Sequence, residues 1–314
     1  MNTVINKEHF YSISLLRMVA MLSIVSCHIF QYYGNFLAWW FNAGVDVFLI
    51  ISGYLYGLRK YEFANAKECF YFAGRFYRKE FLKLLVPYYL MLAVVIPLYF
   101  LLKANSFVQL AKLIVFQNSR VTGFGHIWFF RYILVCYFLT PFWYFIPEKK
   151  WKTAVLAVLF IASLPFCGGM GVWYACYLFG MFVARLNGNL KVQNCFGVLS
   201  VVAGIALSVF CVRYEVDREH WNFALNMQKL FTGGGITMFS IFILRKNNIP
   251  LLCKRMLLLS DRYSYEVFLV HQLFIFGAFS VMNIFAYKTL NVSLCFFVSF
   301  FSAFLLHSVK ERII

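Results

Sequence analysis

A few ionisable side chains lie within long apolar stretches of this sequence, where their presence has to be explained. The stretch LLRMVAMLSIVSCHIF (15–30) holds Arg17 and His28. The others are Asp46, Arg131 and His271, with His126 and Glu266 at the edges of two further stretches. An ionisable group at membrane depth costs at least a few kcal/mol by insertion scales, so such groups mark candidate functional sites. Arginine suits phosphate binding, and histidine suits general base catalysis near neutral pH.

The spacing of Arg17 and His28 places both on one face of a helix. Eleven residues at about 100° each return to within about 20° of the starting direction, with a rise of roughly 16 Å. Arg17 is then expected near the cytoplasmic end of the first membrane helix and His28 near the outer end. A simpler interpretation of Arg17 is that its side chain reaches the inner headgroups.

Asp46 is the expected partner of His28. His28 lies five residues from the outer end of the first predicted helix, and Asp46 lies five residues into the second, so both are roughly 7 to 8 Å below the outer boundary. A carboxylate bonded to one imidazole nitrogen would fix the tautomer and leave the other nitrogen as a general base. In the alternative, a neutral His28 bonds to a neighbouring helix and Asp46 pairs with another group.

The composition indicates an all-α, polytopic integral membrane protein. Hydrophobic residues make up 62% of the chain and charged residues only 13%, against roughly a quarter in soluble domains. The nine cysteines are scattered singly, which favours neither a metal site nor a disulfide framework. About ten transmembrane helices are predicted: 13–33, 41–58, 81–102, 127–147, 153–167, 170–186, 196–213, 229–244, 263–287 and 290–308.

The distribution of basic residues predicts the orientation of these helices. With the N-terminus inside, 20 of the 29 Lys and Arg residues fall on the cytoplasmic side and seven on the outer side. This bias predicts that both termini are cytoplasmic. The net charge of +17 then reflects topology and contact with anionic lipid, and it does not indicate a nucleic-acid partner.

Two further segments are candidates for ligand binding. The segment RKYEFANAKECFYFAGRFYRKEFLKLLVPYYL (59–90) places Arg75, Arg78, Lys79 and Lys83 on one side of a helix. That face would suit anionic headgroups or a polyphosphorylated ligand from the cytoplasm, because neighbouring arginines can grip one phosphate together. Ser52 and Gly53 interrupt the second apolar stretch and would permit close approach of a helix or of a narrow ligand.

Three motifs in register resemble acyltransferase family 3 of bacterial membrane proteins. RMVAMLSIVSCH fits Arg-x10-His, GVDVFLIISGYL fits Gly-Val-Asp-x-Phe followed by Ser-Gly-x-Leu, and RFYR fits Arg-x-x-Arg. The later segments HIWFFRYILVCYFLTP, WYACYLFGMFVAR and SYEVFLVHQLFI are similar to later helices of the family. The resemblance extends over nearly the whole chain, with its specific motifs in about the first 80 residues.

The resemblance implies an enzyme of the bacterial inner membrane that transfers an acyl group, most often acetyl from cytoplasmic acetyl-CoA. The implied acceptor is a sugar hydroxyl of a glycan or lipid-linked saccharide. His28 is implied to be essential for transfer; the implied donor-binding residues are Arg17, Arg75 and Arg78, with Ser52 and Gly53 as the Ser-Gly motif. No permanently bound cofactor and no metal is expected. The chain is expected to be a single domain, 1–314, without the periplasmic domain that some members append.

Weaker candidates surround this core. His126 and Trp128 could contact the acceptor sugar or could simply be interfacial residues. His271 is a weak site candidate, and Glu266 is expected to be structural. The mechanism expected from these residues places the coenzyme A phosphates among Arg75, Arg78 and Lys79.

A transporter or flippase is the main alternative to an acyltransferase. Carriers also have many helices with a few buried ionisable groups, and they often have repeated halves with broken helices. No repeat is visible in the sequence, although Gly233, Gly234 and Gly235 could mark a broken or a tightly packed helix. A purely structural role for the protein would not explain the presence of Arg17, His28 and Asp46 in apolar stretches.

Overall fold

The computed structural model of the chain describes residues 7–102, 106–117, 121–147, 151–168, 171–186, 190–214, 222–244 and 250–313. All regular structure in these ranges is helical, which confirms the predicted all-α class. The α-helices are α1 Lys7–Tyr32, α2 Gly44–Gly57, α3 Ala66–Leu101, α4 Phe107–Ile114, α5 Trp128–Phe145, α6 Trp151–Ser163, α7 Gly171–Arg185, α8 Leu190–Arg213, α9 Asn222–Leu244, α10 Leu251–Ile275 and α11 Lys288–Ile313. Short 3-10 helices cover Phe36–Trp39, Gly125–Ile127 and Leu164–Gly168.

Within the described residues, five helical segments are long and apolar enough to cross a membrane: Tyr11–Tyr32, Ala66–Leu101, Gly125–Phe145, Asn194–Cys211 and Lys288–Ile313. They coincide with the first, third, fourth, seventh and tenth predicted spans. The total of ten spans and the cytoplasmic position of both termini stay predictions. Seven basic residues used for the side count lie outside the described residues: Lys103, Arg120, Lys149, Lys150, Arg218, Arg245 and Lys246.

Exposed apolar side chains follow helical spacing on two of these segments. On α8, Val198, Val202, Ile205 and Val209 are all exposed. On α11, the exposed face holds phenylalanines at 297, 301 and 304. A helix face that is both exposed and apolar suits contact with lipid tails, because it would be unfavourable in water.

Helices α3 and α10 differ most from the sequence prediction. The basic segment and the third span form one continuous helix, α3, which keeps Pro87 and Pro97 in its interior; prolines are tolerated in membrane helices. The ninth span is predicted as 263–287, but α10 begins earlier, at Leu251, and ends earlier, at Ile275. Beyond it the chain turns at Gly277, where an added Cβ would lie 2.5 Å from the Leu273 carbonyl oxygen and from the Tyr99 hydroxyl. The apolar run continues past this turn, so hydropathy alone could not place the helix end.

The chain divides into two compact units, and the first consists of the described parts of 1–23, 42–66 and 139–261. In this unit α2 packs against α7 and α9, α6 against α7, and α8 against α9. Helices α2 and α7 approach closely because glycine lies at the contact. A Cβ on Gly53 would overlap the Tyr177 carbonyl oxygen, and one on Gly180 would overlap the Ile50 carbonyl oxygen. Small residues of this kind let helix backbones meet at short distance.

The three successive glycines of α9 lie in a continuous, tightly packed helix. A Cβ on Gly233 would contact the Asp46 Cβ at 3.4 Å, and one on Gly234 would lie 2.9 Å from the Phe179 ring. Gly235 meets a third helix, since its Cβ would lie 2.9 Å from a methyl carbon of Val201. The sequence allowed either a broken or a tightly packed helix at these glycines, and the structure shows a tightly packed one.

The second unit consists of the described parts of 24–41, 67–138 and 262–314. Tyrosine hydroxyls tie its helices together by donating to backbone carbonyls: Tyr88 to Leu113 (2.7 Å), Tyr265 to Leu84 (2.6 Å) and Tyr77 to Phe138 (2.9 Å). Asn291, at the start of α11, holds the irregular segment after α10. It donates to the carbonyls of Met282 and Phe285 and accepts from the Phe285 N–H.

Candidate active site

His28 lies in the last two turns of α1, within the second unit, with a hydrogen-bonding partner at each ring nitrogen. Its Nδ1 is 2.7 Å from Oε1 of Gln31, three residues further along the same helix. Its Nε2 is 2.8 Å from Nε2 of Gln272 on α10. Side chains three apart on a helix are neighbours, which explains the contact with Gln31.

These two contacts define the tautomer of the His28 ring. An amide nitrogen only donates and an amide oxygen only accepts. Gln272 therefore donates to Nε2, and the Nδ1–H of His28 donates to Gln31. Nε2 carries the lone pair, so it is the nitrogen that can take a proton from a substrate.

His271 lies against His28 in the same unit. The ring centroids are 5.3 Å apart and the planes are inclined by 29°. The Nδ1 of His271 is 2.8 Å from the Phe268 carbonyl oxygen, to which it must donate. Its Nε2 then carries a lone pair, and this atom is buried without a hydrogen bond.

His126 extends the arrangement to three rings, His28, His271 and His126, which we call the histidine row. It precedes α5, and its ring centroid is 5.1 Å from that of His271. Its Nε2 donates to the Leu269 carbonyl at 3.1 Å, its Nδ1 is buried with no partner within hydrogen-bonding distance, and the Gln272 side chain also interacts with the ring. The row thus contains two buried lone pairs that can accept hydrogen bonds. In the described part of the chain, no group of three or more His, Cys, Asp or Glu side chains is placed to hold a metal ion.

The turn after α10 positions the histidine row. The Gln272 carbonyl accepts from the N–H groups of Phe276 and Gly277, which ends the helix just beyond the Gln272 side chain. The Phe276 ring meets His28 edge-on, with centroids 6.1 Å apart. Asn283, further along the same segment, donates to the Tyr32 hydroxyl at the end of α1. Trp128, predicted to contact an acceptor, packs edge-on against Tyr132.

Asp46 has a different set of partners from the one predicted. It is buried on α2 in the first unit, where Cys176 of α7 donates to its Oδ1 at 3.5 Å. Lys229 of α9 is the neighbouring positive charge. Both ring nitrogens of His28 meanwhile face amides of the second unit. The structure therefore favours the alternative, in which His28 bonds to a neighbouring helix and Asp46 pairs elsewhere. Sequence gives the depth of a residue but not the rotation of its helix, which packing decides.

Arg17 is held by an ion pair in the first unit. Its Nη1 is 2.9 Å from Oδ1 of Asp261 on α10, and Ser14 donates to the other oxygen of the same carboxylate at 2.9 Å. The Arg17 side chain is about a quarter exposed (27%). This contact explains how a membrane helix tolerates Arg17. The sequence alone did not identify Asp261 as the partner of Arg17.

The predicted basic face on α3 is helical, as expected. Arg75, Arg78, Lys79 and Lys83 are all exposed, and the Arg75 guanidinium lies 5.7 Å from the centre of the Tyr71 ring. Ser52 donates to the Phe48 carbonyl within its own helix at 2.8 Å. Gly53 packs against α7, so the helix-packing interpretation accounts for its lack of a side chain.

Glu266 has the contacts expected of a structural residue. Lys310 of α11 donates to its Oε1 at 2.6 Å, and Nδ1 of His307 lies 3.0 Å from the same oxygen. These contacts join α10 to α11 within the second unit.

Sequence reasoning missed the two glutamines at His28. They carry no charge, so a search for ionisable groups within apolar stretches passes over them. A signal was nevertheless present, because Gln31 is three residues from His28 and Gln272 is adjacent to His271 in an otherwise apolar run.

Comparison with known proteins assigns the family. No curated protein and no solved structure matches the chain significantly. The sequence model of one family, described as an acyltransferase domain, matches residues 10–308, which is nearly the whole chain. Together with the helices long and apolar enough to cross a membrane, this match shows that the chain belongs to the acyltransferase family 3 of membrane-embedded acyltransferases.

Proposed function

We propose that this acyltransferase transfers an acetyl group from acetyl-CoA to a hydroxyl of a glycan or lipid-linked saccharide, with His28 as the general base. The observation that carries this proposal is the tautomer of His28. Gln31 and Gln272 leave the lone pair on Nε2, beside two further buried imidazole lone pairs. Removal of a hydroxyl proton requires a fixed imidazole with a lone pair on the basic nitrogen, which the acceptor hydroxyl reaches by displacing the Gln272 N–H.

The proposed reaction moves one proton and exchanges one bond. The acceptor hydroxyl displaces the Gln272 amide from Nε2 of His28 and gives its proton to that nitrogen. The hydroxyl oxygen bonds to the thioester carbonyl carbon, and the carbon–sulfur bond breaks. The departing thiolate then takes the proton from Nε2, which restores the neutral ring. Direct attack by Nε2, giving an acyl-imidazole, would use the same nitrogen and is the second route.

The donor is proposed to bind through its phosphates. Arg75, Arg78 and Lys79 present exposed positive charge along one side of α3, and arginine forks match phosphate oxygens. Arg17, Ser52 and Gly53 stay in the proposed donor site on the family motifs alone. Arg17 would have to exchange its partner Asp261 to contact the donor directly.

The acceptor is proposed to meet the other two rings of the histidine row. Sugar hydroxyls are donors as well as acceptors, and Nε2 of His271 and Nδ1 of His126 are buried acceptors without a hydrogen bond. Trp128 offers an aromatic face that suits the apolar side of a pyranose. The proposed location is the inner membrane of a bacterium.

The proposal is tested by following coenzyme A release from acetyl-CoA by the purified protein in detergent, with and without a glycan acceptor. We expect release that depends on the acceptor, and His28→Ala should lower it by at least about 100-fold. His307→Ala is the matched control, since His307 lies outside the histidine row. Wild-type release by His28→Ala would overturn the general-base role.

A second measurement separates the enzyme from a transporter. In proteoliposomes, movement of a saccharide without any thiol release would favour a carrier over an acyltransferase. Mass spectrometry of surface glycans from a deletion strain and its parent should show the loss of one acyl mass per modified sugar. Unchanged glycans would contradict the proposed acceptor class.

A further inference from the structure

We propose that Gln31 is a positioning residue for acyl transfer, holding His28 in the tautomer that leaves Nε2 as the base; this inference rests on the proposed role of His28. The proposal is based on the 2.7 Å contact between Oε1 of Gln31 and Nδ1 of His28. Neither the family match nor the motifs point to this glutamine.

The Gln31 amide is itself held in one orientation. Its Nε2 donates to the Sγ of Cys27 at 3.6 Å, one turn back on α1. The thiol of Cys27 donates in turn to the Ala38 carbonyl at 3.2 Å, so its sulfur is available as an acceptor. This chain of contacts turns the amide nitrogen towards the sulfur. The amide oxygen is thereby left facing the imidazole.

The opposite side of the His28 ring agrees with this assignment. Gln272 presents an N–H group to Nε2 of His28 at 2.8 Å, and an N–H group can bond only to a nitrogen that carries a lone pair. Two amides, one accepting and one donating, therefore select the same tautomer. Without Gln31, Nδ1–H would lose the acceptor that it has here, and the ring could rotate or exchange its proton between the two nitrogens.

A neutral partner has a consequence for pH dependence. A carboxylate at this position would stabilise the protonated imidazole, whereas an amide orients the ring without adding charge. Among the described residues, the titratable rings packed beside His28 are His271 of α10 at 5.3 Å and His126 beyond it, and the Cys27 thiol contacts Gln31 on α1. Replacing Gln31 leaves His271 and His126 in place. A shift in the pH–rate profile would therefore report on the contact between Gln31 and His28.

The test compares Gln31→Leu, Gln31→Glu and the control Val19→Ala in full-length protein. We expect Gln31→Leu to lower kcat by about tenfold to 100-fold, the scale of losing a partner that orients an imidazole, with the donor KM unchanged. Gln31→Glu keeps an acceptor at the same place, so it should recover most of the activity. Because its carboxylate keeps the ring protonated to higher pH, the acidic limb of the rate profile should move up by about one pH unit. Val19→Ala shortens an exposed apolar side chain of the same helix and should change neither kcat nor the pH profile.

The outcomes separate this inference from the proposed function. If His28→Ala is inactive while Gln31→Leu keeps the wild-type kcat, the role of Gln31 is overturned and that of His28 stands. An unshifted profile in Gln31→Glu, which has the same size and should fold, would also overturn it. If His28→Ala itself remains active, the general-base proposal fails, and the Gln31 assignment fails with it.

Discussion

His28 and His271 stack with their ring centroids 5.3 Å apart, although they lie 243 residues apart in the sequence. The stack places a buried, unpaired Nε2 of His271 beside the proposed base. His271→Phe keeps a flat ring and removes this acceptor. We expect the KM for the acceptor to rise about threefold to tenfold, the scale of one neutral hydrogen bond, with no change in the donor KM.

The measurement is steady-state kinetics with each substrate varied in turn. His126→Phe serves as the companion variant, because the same proposal gives its Nδ1 the same role. An unchanged acceptor KM in both variants would show that the two lone pairs do not contact the acceptor.

Asp46→Asn is expected to affect stability rather than catalysis by His28. The substitution keeps the size of a side chain buried against Cys176 and removes the carboxylate charge that interacts with Lys229. Loss of one member of a partly buried charge pair should lower the free energy of unfolding by about 1 to 3 kcal/mol. The pH–rate profile should coincide with that of the wild type. An acidic limb shifted to lower pH, the opposite of the shift expected for Gln31→Glu, would instead show that Asp46 acts on His28, because loss of a nearby carboxylate disfavours the protonated ring.

Gly53→Ala should destabilise the contact between α2 and α7. The added methyl group would overlap the Tyr177 carbonyl oxygen, so the helices must separate, at a cost of at least about 2 kcal/mol. Gly74→Ala is the control, because a Cβ there meets nothing within 4 Å on α3. It should be neutral or stabilise the helix by up to about 1 kcal/mol. Thermal unfolding in detergent measures both. A higher donor KM in Gly53→Ala without loss of stability would favour the ligand-binding interpretation of the Ser-Gly motif.

The exposed basic face of α3 should set donor affinity. Arg75→Ala with Arg78→Ala removes two guanidinium groups proposed to bind coenzyme A phosphates. The KM for acetyl-CoA should rise about tenfold or more, in line with hydrogen bonds between charged groups. Arg262→Ala removes another exposed arginine and should leave this KM unchanged.

A donor without nucleotide phosphates makes this prediction specific. With S-acetylpantetheine, the double variant and the wild type should have similar KM values. An equal loss with both donors would mean that the arginines do not bind the phosphates.

The sequence by itself determined the all-helical class, the helical basic face on α3 and the family motifs around Arg17, His28 and Arg75. These follow from local properties, namely the length of apolar runs, the helical period and the rarity of ionisable groups in lipid. The sequence also pointed to His28, since a histidine within a membrane helix is rare and marks a candidate functional site.

The tertiary structure decided which groups meet. His28 and Asp46 were predicted at equal depth, yet His28 faces Gln31 and Gln272, while Asp46 faces Cys176 of α7. Depth follows from counting residues along a helix. The rotation of each helix follows from packing over its whole length, including close contacts such as the one at Gly53. Partners that come from distant segments, such as Gln272, are therefore fixed only when the helices pack together.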